Sequence, residues 1–386
     1  MKYFLPDYNN CCVNMISSVA KKFKVSTGHP SLPILDKILK HDTKNTVVVL
    51  LDGMSDDIIN HNLPEDSFIR RNRIAQLTAI FPTTTTAATM SFKTGLTPIE
   101  HGWMSLFLYF KEVGEAVNLY LNTNAYSKKP VKMEHIANTL LDFTNIFEKI
   151  QEQNKGKVRA YGVSIMEARD LFGNMSQLTY DDFGEMCSLV KTLCSTDDRK
   201  VIYAYHNHPD DTMHKFGPHS EEASNVLLNI DAELDNLALN CPDTTFIISA
   251  DHGQTDVKEV FDLSNYPEIA STFLMPPTGG PRAFNVFIKR GQDSNFKKAM
   301  KKNFEKEFLV FSKKQVLDMQ LFGTGKQHPK VDDFIGDYWI ISIGQANLAY
   351  STLYKLPIKQ PLGAHGGLTK EEIFLPLIVY QNQNKK

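Results

Sequence analysis

TVVVLLDG, residues 46–53, is the stretch whose reading decides the fold. Val47 to Leu51 is an unbroken, valine-rich apolar run, too short for a buried helix and without the alternation of a half-exposed strand. Such a run is a strand covered on both faces, the kind that parallel sheets contain. Asp52 and Gly53 follow at its carboxyl end, the edge where open α/β sheets assemble their sites.

Working outward, Gln76–Phe81, Val158–Val163, Val201–Tyr205, Thr245–Ala250, Ala283–Ile288, Trp339–Ile343 and Phe374–Tyr380 repeat the strand signal. Amphipathic helices alternate with them. One is expected over Met133–Gln153, with Ile136, Leu140, Phe143, Phe147 and Ile150 on one stripe and a stop at Asn154 and Gly156. Another starts near Ser220 and carries Val226, Leu227, Ile230, Leu234 and Leu237. The pattern predicts an α/β fold, a central mostly parallel sheet sandwiched between helices.

Composition shifts after Tyr266. MPPTGGPR at 275–282 is loop chemistry, and Phe296, Met300, Phe304 and Phe308 recur among lysines, followed by a capping-box sequence at Ser312–Gln315. Residues 276–335 are therefore expected to form a small inserted α+β cap lobe. Residues 46–275 and 336–386 are expected to form the core, and 1–45 a helical extension packed on it.

The formal charge of −2, from 42 basic and 44 acidic residues, excludes a whole-protein basic field of the sort that attracts nucleic-acid polymers. No uncharged apolar run approaches the roughly 20 residues of a membrane helix. The amino-terminal sequence lacks the charge order of an export signal. Five cysteines without a C-x-x-C pair are expected as reduced, buried thiols of a cytoplasmic protein.

Acids and histidines cluster at strand ends. Asp52 follows VVVLL, Asp210 and His214 follow VIYAY within a loop, Asp251 and His252 follow FIISA, and His365 lies in GAHGG before the last strand. An Asp after a strand is by itself a turn or cap residue, and a D-x-x-x-H pair is common. Together, however, these groups reach one edge of the sheet. Carboxylates gathered there without cations would repel one another and take up protons, whereas divalent ions stabilise them. Oxygen and nitrogen donors without cysteine favour zinc, with manganese, iron or magnesium as alternatives. Six ligands exceed one tetrahedral site and suit two ions about 4 Å apart, an arrangement that stabilises both attacking and leaving oxygens at phosphorus.

A nucleophile is suggested by FPTTTTAATMSFKTG, 81–95. A hydroxyl at the start of the helix that continues through Ala87, Ala88, Met90 and Phe92 to Gly95 lies at the positive end of the dipole. Spacing leaves Thr83, Thr84, Thr85 and Thr86 open, and helix capping is the alternative role for any of them.

With these residues in view, the chain resembles the alkaline phosphatase superfamily, and within it the type I phosphodiesterase/nucleotide pyrophosphatase family. The matching pieces are VVVLLDG at 47–53, FPTTTTAATMSFKTGLTPIEHG at 81–102, PDDTMHKFGP at 209–218, SADHG at 249–253 and GAHGG at 363–367. They occur in family order. Counting back ten positions from Gly95, the resemblance implies Thr85 as nucleophile. It implies that Asp52, Thr85, Asp251 and His252 surround one metal and that Asp210, His214 and His365 bind the other. It further implies a covalent phosphothreonine that water hydrolyses, and a small-molecule phosphate ester as partner.

One position departs from the family pattern. Nucleotide-cleaving members carry asparagine four residues after the glycine of the H-G pair, and here that position is Leu106. A phosphomonoesterase, a phosphonate hydrolase and, more distantly, a phosphomutase therefore stay open, as does a metal-binding protein without catalysis. No C/S-x-P-x-R sequence surrounds Thr85, which disfavours sulfatase chemistry. Arg282 is expected as a surface residue, with a phosphate contact as its alternative.

Overall fold

A computed structural model describes residues 2–165, 175–351 and 360–383. Asn45–Leu51 is a strand in which every residue is buried, at the centre of a seven-stranded sheet. Its neighbours are Arg199–His206 and Thr244–Ser249, both parallel to it. Val158–Ile165 and Ser176–Tyr180 extend the sheet in parallel beyond Arg199–His206. On the other side Phe374–Asn382 enters antiparallel beside Thr244–Ser249, and Arg73–Thr78 closes that edge. The central sheet is thus mostly parallel, and helices cover both faces.

The helices follow local chemistry. Glu221–Asn240 begins where the Ser220 side chain accepts from the Ala223 N–H, and it buries Leu227, Ile230, Leu234 and Leu237. Cys12–Lys22 buries Val13, Met15, Ile16 and Val19 in the same apolar core as the central strands. Thr85–Thr94 ends at Gly95, whose φ of 69° is the left-handed cap that glycine adopts without strain. The capping box at Ser312 forms and starts the helix Lys313–Asp318. All five cysteines are free and buried. Among the described residues, no helix is long and apolar enough to cross a membrane.

Two expectations are corrected. The stripe over Met133–Gln153 is not one helix but two, Ile136–Leu140 and Ile146–Gln153. Between them Leu141 turns into the core, and the Asn145 side chain accepts from the Phe147 N–H to start the second helix. A periodic stripe survives such a break because both pieces bury the same kind of face. Second, Ala283–Val286 and Tyr338–Ser342 do not join the central sheet. They pair antiparallel with each other, flanked by Thr278–Gly280 and Phe308–Ser312, in a separate four-stranded sheet. Its strands thus come from both sides of residue 335. Short apolar runs report burial and do not report the partner. A further small antiparallel sheet, Phe107–Phe110, Glu115–Asn118 and Thr123–Asn124, follows directly after Leu106.

Candidate metal centre

The parallel strands deliver their carboxyl ends to one place. Asp52 follows Asn45–Leu51, Asp210 opens the helix Asp210–Phe216 beyond Arg199–His206, and Asp251 with His252 follows Thr244–Ser249. The D-x-x-x-H spacing becomes one helical turn, which sets His214 Nε2 3.2 Å from Asp210 Oδ2. His365 arrives from the loop before the last strand, its imidazole stacked on that of His252 at 3.7 Å between ring centres. Gly53, at φ 79°, permits the close approach of two of these elements: a Cβ there would lie 2.8 Å from Met213 Cε and 3.1 Å from Asp210 Cβ.

Two overlapping ligand groups result. Asp52, Asp251 and His252 form one, and Asp210, His252 and His365 the other. His252 Nε2 lies 3.4 Å from Asp52 Oδ1 and 3.3 Å from Asp251 Oδ2, so this imidazole stands between the groups. His214 joins through Asp210. Every residue of the expected ligand set is therefore at this edge.

The histidines are held in one tautomer. Nδ1 of His252, His214 and His365 faces a backbone carbonyl, Gly253 O at 3.1 Å, Gly363 O at 2.7 Å and Thr83 O at 2.8 Å respectively. A carbonyl only accepts, so each Nδ1 carries a proton and leaves Nε2 for the cluster; on His214 the Asp210 carboxylate draws a second proton onto Nε2, which a bound cation would displace. Such Nδ1 contacts are the support that metal-binding imidazoles receive.

The carboxylates fit cations for a second reason. Asp52 Oδ1 and Asp251 Oδ2 are buried and have no hydrogen-bond partner. Burial first, and then the charges of Asp251 and Asp210, raises the Asp52 carboxyl well above the usual carboxylate range. Burial likewise pushes Asp251 up to about 7. Asp210 differs: burial would raise it, but the charges of His214 and His365 outweigh that and hold it below the usual range. Against the same burial, Asp210 raises His214 to about 9. His252 is held well below an ordinary imidazole by burial and by His365. Orphaned carboxylate oxygens facing imidazole lone pairs make a donor set that divalent ions would satisfy.

The four threonines separate by their partners. Thr83 Oγ1 donates to Gly367 O and accepts from the Gly366 N–H, clipping the His365 loop. Thr84 is the N-cap position of Thr85–Thr94, and Thr86 is buried. Thr85, the first residue of that helix, donates from Oγ1 to Asp52 Oδ2 at 3.3 Å and lies 3.1 Å from His252 Nε2.

Three functional neighbours escaped the sequence reading. Tyr205 donates to Asp52 Oδ2 at 2.6 Å, and burial with the Asp52 charge keeps its phenol protonated. Gln254 donates to Asp210 Oδ1 and to Asp210 O. Glu372 accepts from the Gly367 N–H at 2.7 Å, while its own carbonyl accepts from the Gly253 N–H at 3.0 Å, joining two metal-side loops. The T-x-x-E capping box Thr369–Glu372 was a readable signal for it; nothing in the sequence pointed to Tyr205.

Arg282 is neither on the surface nor placed to meet substrate. It is fully buried, with Nε 2.8 Å from Glu372 Oε1 and Nη2 2.9 Å from Oε2. Its remaining donors reach Ala346 O and Gly344 O. A buried arginine needs such a set of acceptors, and a glutamate 90 residues away is not apparent from local sequence.

No curated protein matches the chain. Among solved structures, murine ectonucleotide pyrophosphatase/phosphodiesterase 5, an inactive variant in complex with AMP, superposes with TM-score 0.66 at 18% identity, over 89% of this chain and 88% of that one. The human counterpart gives 0.65 at 17%, over 87% of each. Phosphonoacetate hydrolase from Sinorhizobium meliloti, in complex with phosphonoformate, gives 0.63 at 17%, over 88% and 90%. These likenesses establish the fold. The sequence itself matches the type I phosphodiesterase/nucleotide pyrophosphatase family over residues 46–368. The chain belongs to that family, whose members are metal-dependent hydrolases of phosphate esters.

Proposed function

We propose that the protein is a two-metal phosphoesterase that cleaves phosphodiester or pyrophosphate bonds of small molecules through a phosphothreonine on Thr85. The observation that carries this reading is the Thr85 hydroxyl, aimed at Asp52 and His252 on the rim of a carboxylate and imidazole cluster in which Asp52 Oδ1 and Asp251 Oδ2 lack partners. Asp52, Asp251 and His252 would hold one ion beside Thr85, and Asp210, His214 and His365 the other. Zinc suits the mixed oxygen and nitrogen donors best. The ions would supply Lewis acidity at the phosphoryl oxygens and lower the pKa of the attacking hydroxyl.

The chain's own contribution is orientation. The Thr85 proton points at Asp52 Oδ2, and Tyr205 donates to the same oxygen, fixing its direction. At the first residue of Thr85–Thr94 the backbone N–H groups favour a phosphoryl oxygen. Attack by Thr85 Oγ1 on phosphorus forms one P–O bond and breaks that to the leaving group; water then cleaves the phosphothreonine and restores the hydroxyl. The Nδ1 contacts of the three histidines hold the ligand geometry through both steps.

Thr85→Ala tests this reading. Turnover is expected to fall by at least about 1,000-fold, while elemental analysis still finds two ions per chain. Near-normal turnover would remove Thr85 from the role; fewer than two ions in the wild-type protein would remove the two-metal site.

A second reading is favoured by Leu106. The side chain there is aliphatic where diesterases of the family use an amide, so the same centre would serve a phosphomonoester or a phosphonate. The fold likeness to phosphonoacetate hydrolase lends support. Rates on matched aryl monoester, aryl diester and phosphonate substrates decide between the two, because a dianion and a monoanion need different charge stabilisation.

A further inference from the structure

At the opposite edge of the central sheet lies a cleft of about 920 Å³ whose charge the metal centre does not explain. It is framed by the end of the helix Cys12–Lys22, by the helix Pro33–Leu39, and by the first residues of Val158–Ile165 and Arg199–His206. The metal ligands lie at the far ends of Arg199–His206 and its parallel neighbours Asn45–Leu51 and Thr244–Ser249. The seven residues of Asn45–Leu51 separate the two edges by roughly 23 Å at about 3.3 Å per residue.

Six lysines and one arginine line the cleft against two carboxylates, in a chain whose net charge is −2. Both carboxylates are already engaged: Asp36 with Lys21 at 2.5 Å, and Asp42 with both terminal nitrogens of Arg199 at 2.8 and 2.5 Å. Among the described residues, Lys24, Lys37, Lys40 and Lys157 have no carboxylate partner. Lys22 is half-buried, donates to Thr43 Oγ1 at 3.0 Å, and burial lowers its pKa to about 8. Helix polarity accounts for Lys21 and Lys22, which complement the carbonyl end of their helix. It does not account for Lys157 and Arg199, which come from strand edges, or for their convergence on one concavity.

We infer that this cleft is a second ligand site, separate from the metal centre, for a compact multiply charged anion of the clustered-phosphate type. The concave form decides the size of the ligand, since about 300–1,000 Å³ is the range of small-molecule sites. A polymer would instead need an extended basic track. Phe23 and Leu39 lie among the cations, and the concave form concentrates the field of the cations within the cleft. Lysines from the two helices, the residues just after them and the turn before Val158–Ile165 can meet several phosphate groups at once, while the Arg199 guanidinium, fixed by Asp42, keeps the rim in place.

The probe is myo-inositol hexasulfate, a compact polyanion that the metal centre cannot hydrolyse, titrated calorimetrically into the metal-loaded protein. Saturable 1:1 binding is expected. It should weaken about tenfold or more between about 50 and about 200 mM salt, and by a similar factor in the double variant Lys37→Glu/Lys40→Glu. Both lysines are exposed, and hydrolysis of an aryl phosphate ester should stay within about twofold in that variant. Lys157→Glu, on a different element, should weaken binding independently. Absence of saturable binding, affinity unchanged by these substitutions, or competition with substrate at the metal centre would each overturn the inference. Tighter binding of single-stranded oligothymidylate than of the hexasulfate would overturn the compact ligand.

Discussion

The four threonines at 83–86 show how much a residue's role depends on the path of the backbone. Identical side chains in sequence become a loop clip, a cap position, a hydroxyl on the ligand cluster and a buried neighbour. Their location at a helix start was legible; which of them faces the cluster was not, because that depends on where Asp52 and His252 lie. Asp251 carries a prediction with a definite sign. Its folded pKa of about 7 lies above the value near 3.9 of an unfolded aspartate, so the metal-free protein retains a proton that the unfolded chain has lost. That stabilisation is complete below about pH 4 and is lost as pH rises through about 7. Metal-free Asp251→Asn is therefore expected to gain in melting temperature over metal-free wild type on going from pH 4 to pH 8. The asparagine keeps the acceptor used by the Gly53 and His252 N–H groups. With metal present the order reverses at pH 8, since a ligand is missing. Differential scanning calorimetry of both proteins, metal-free at pH 4 and pH 8 and metal-loaded at pH 8, checks both signs. Tyr205→Phe removes the donor that orients Asp52, and metal affinity measured by competition with a chromophoric chelator is expected to fall about 10- to 100-fold.

At the scale of elements, the ligands sit on loops that are tied together from behind. Arg282 holds Glu372, and Glu372 holds both the Gly367 amide and the Gly253 amide, so one buried ion pair braces the two loops that carry His365 and His252. Arg282→Met leaves the glutamate buried without its cation and is expected to cost about 3–5 kcal/mol in urea denaturation. Arg282→Met/Glu372→Gln should recover part of that loss, because the stranded charge is gone. The double variant should still bind metal more weakly than wild type, which separates bracing of the loops from stability alone. Strands and capped helices were legible from period and end signals. The break at Leu141–Asn145 was not, since a stripe at helical spacing continues across it. Nor was the Arg282 pairing, which only the folded chain creates.

For the molecule as a whole, a cluster of buried acids ties folding to cation binding. Chelation is expected to lower the melting temperature, and adding zinc should raise it progressively with metal concentration, each site adding about 4 kcal/mol of stability when the metal exceeds its dissociation constant about 1,000-fold. A melting temperature indifferent to chelator would contradict the ligand assignment. The sheet as a class was legible in the sequence, because continuous apolar runs identify covered strands. The order of the strands was not, since it is decided by competition among similar runs for a few positions, and Ala283–Val286 and Tyr338–Ser342 found partners in each other.

Phe374–Asn382, the last strand, is not an edge of the sheet but an interior member, with Thr244–Ser249 on one side and Arg73–Thr78 on the other. Arg73–Thr78, made early, can therefore join the sheet only after Phe374–Asn382 has left the ribosome. Until then both flanking strands present raw hydrogen-bonding edges, the state in which nascent polypeptides aggregate or recruit chaperones.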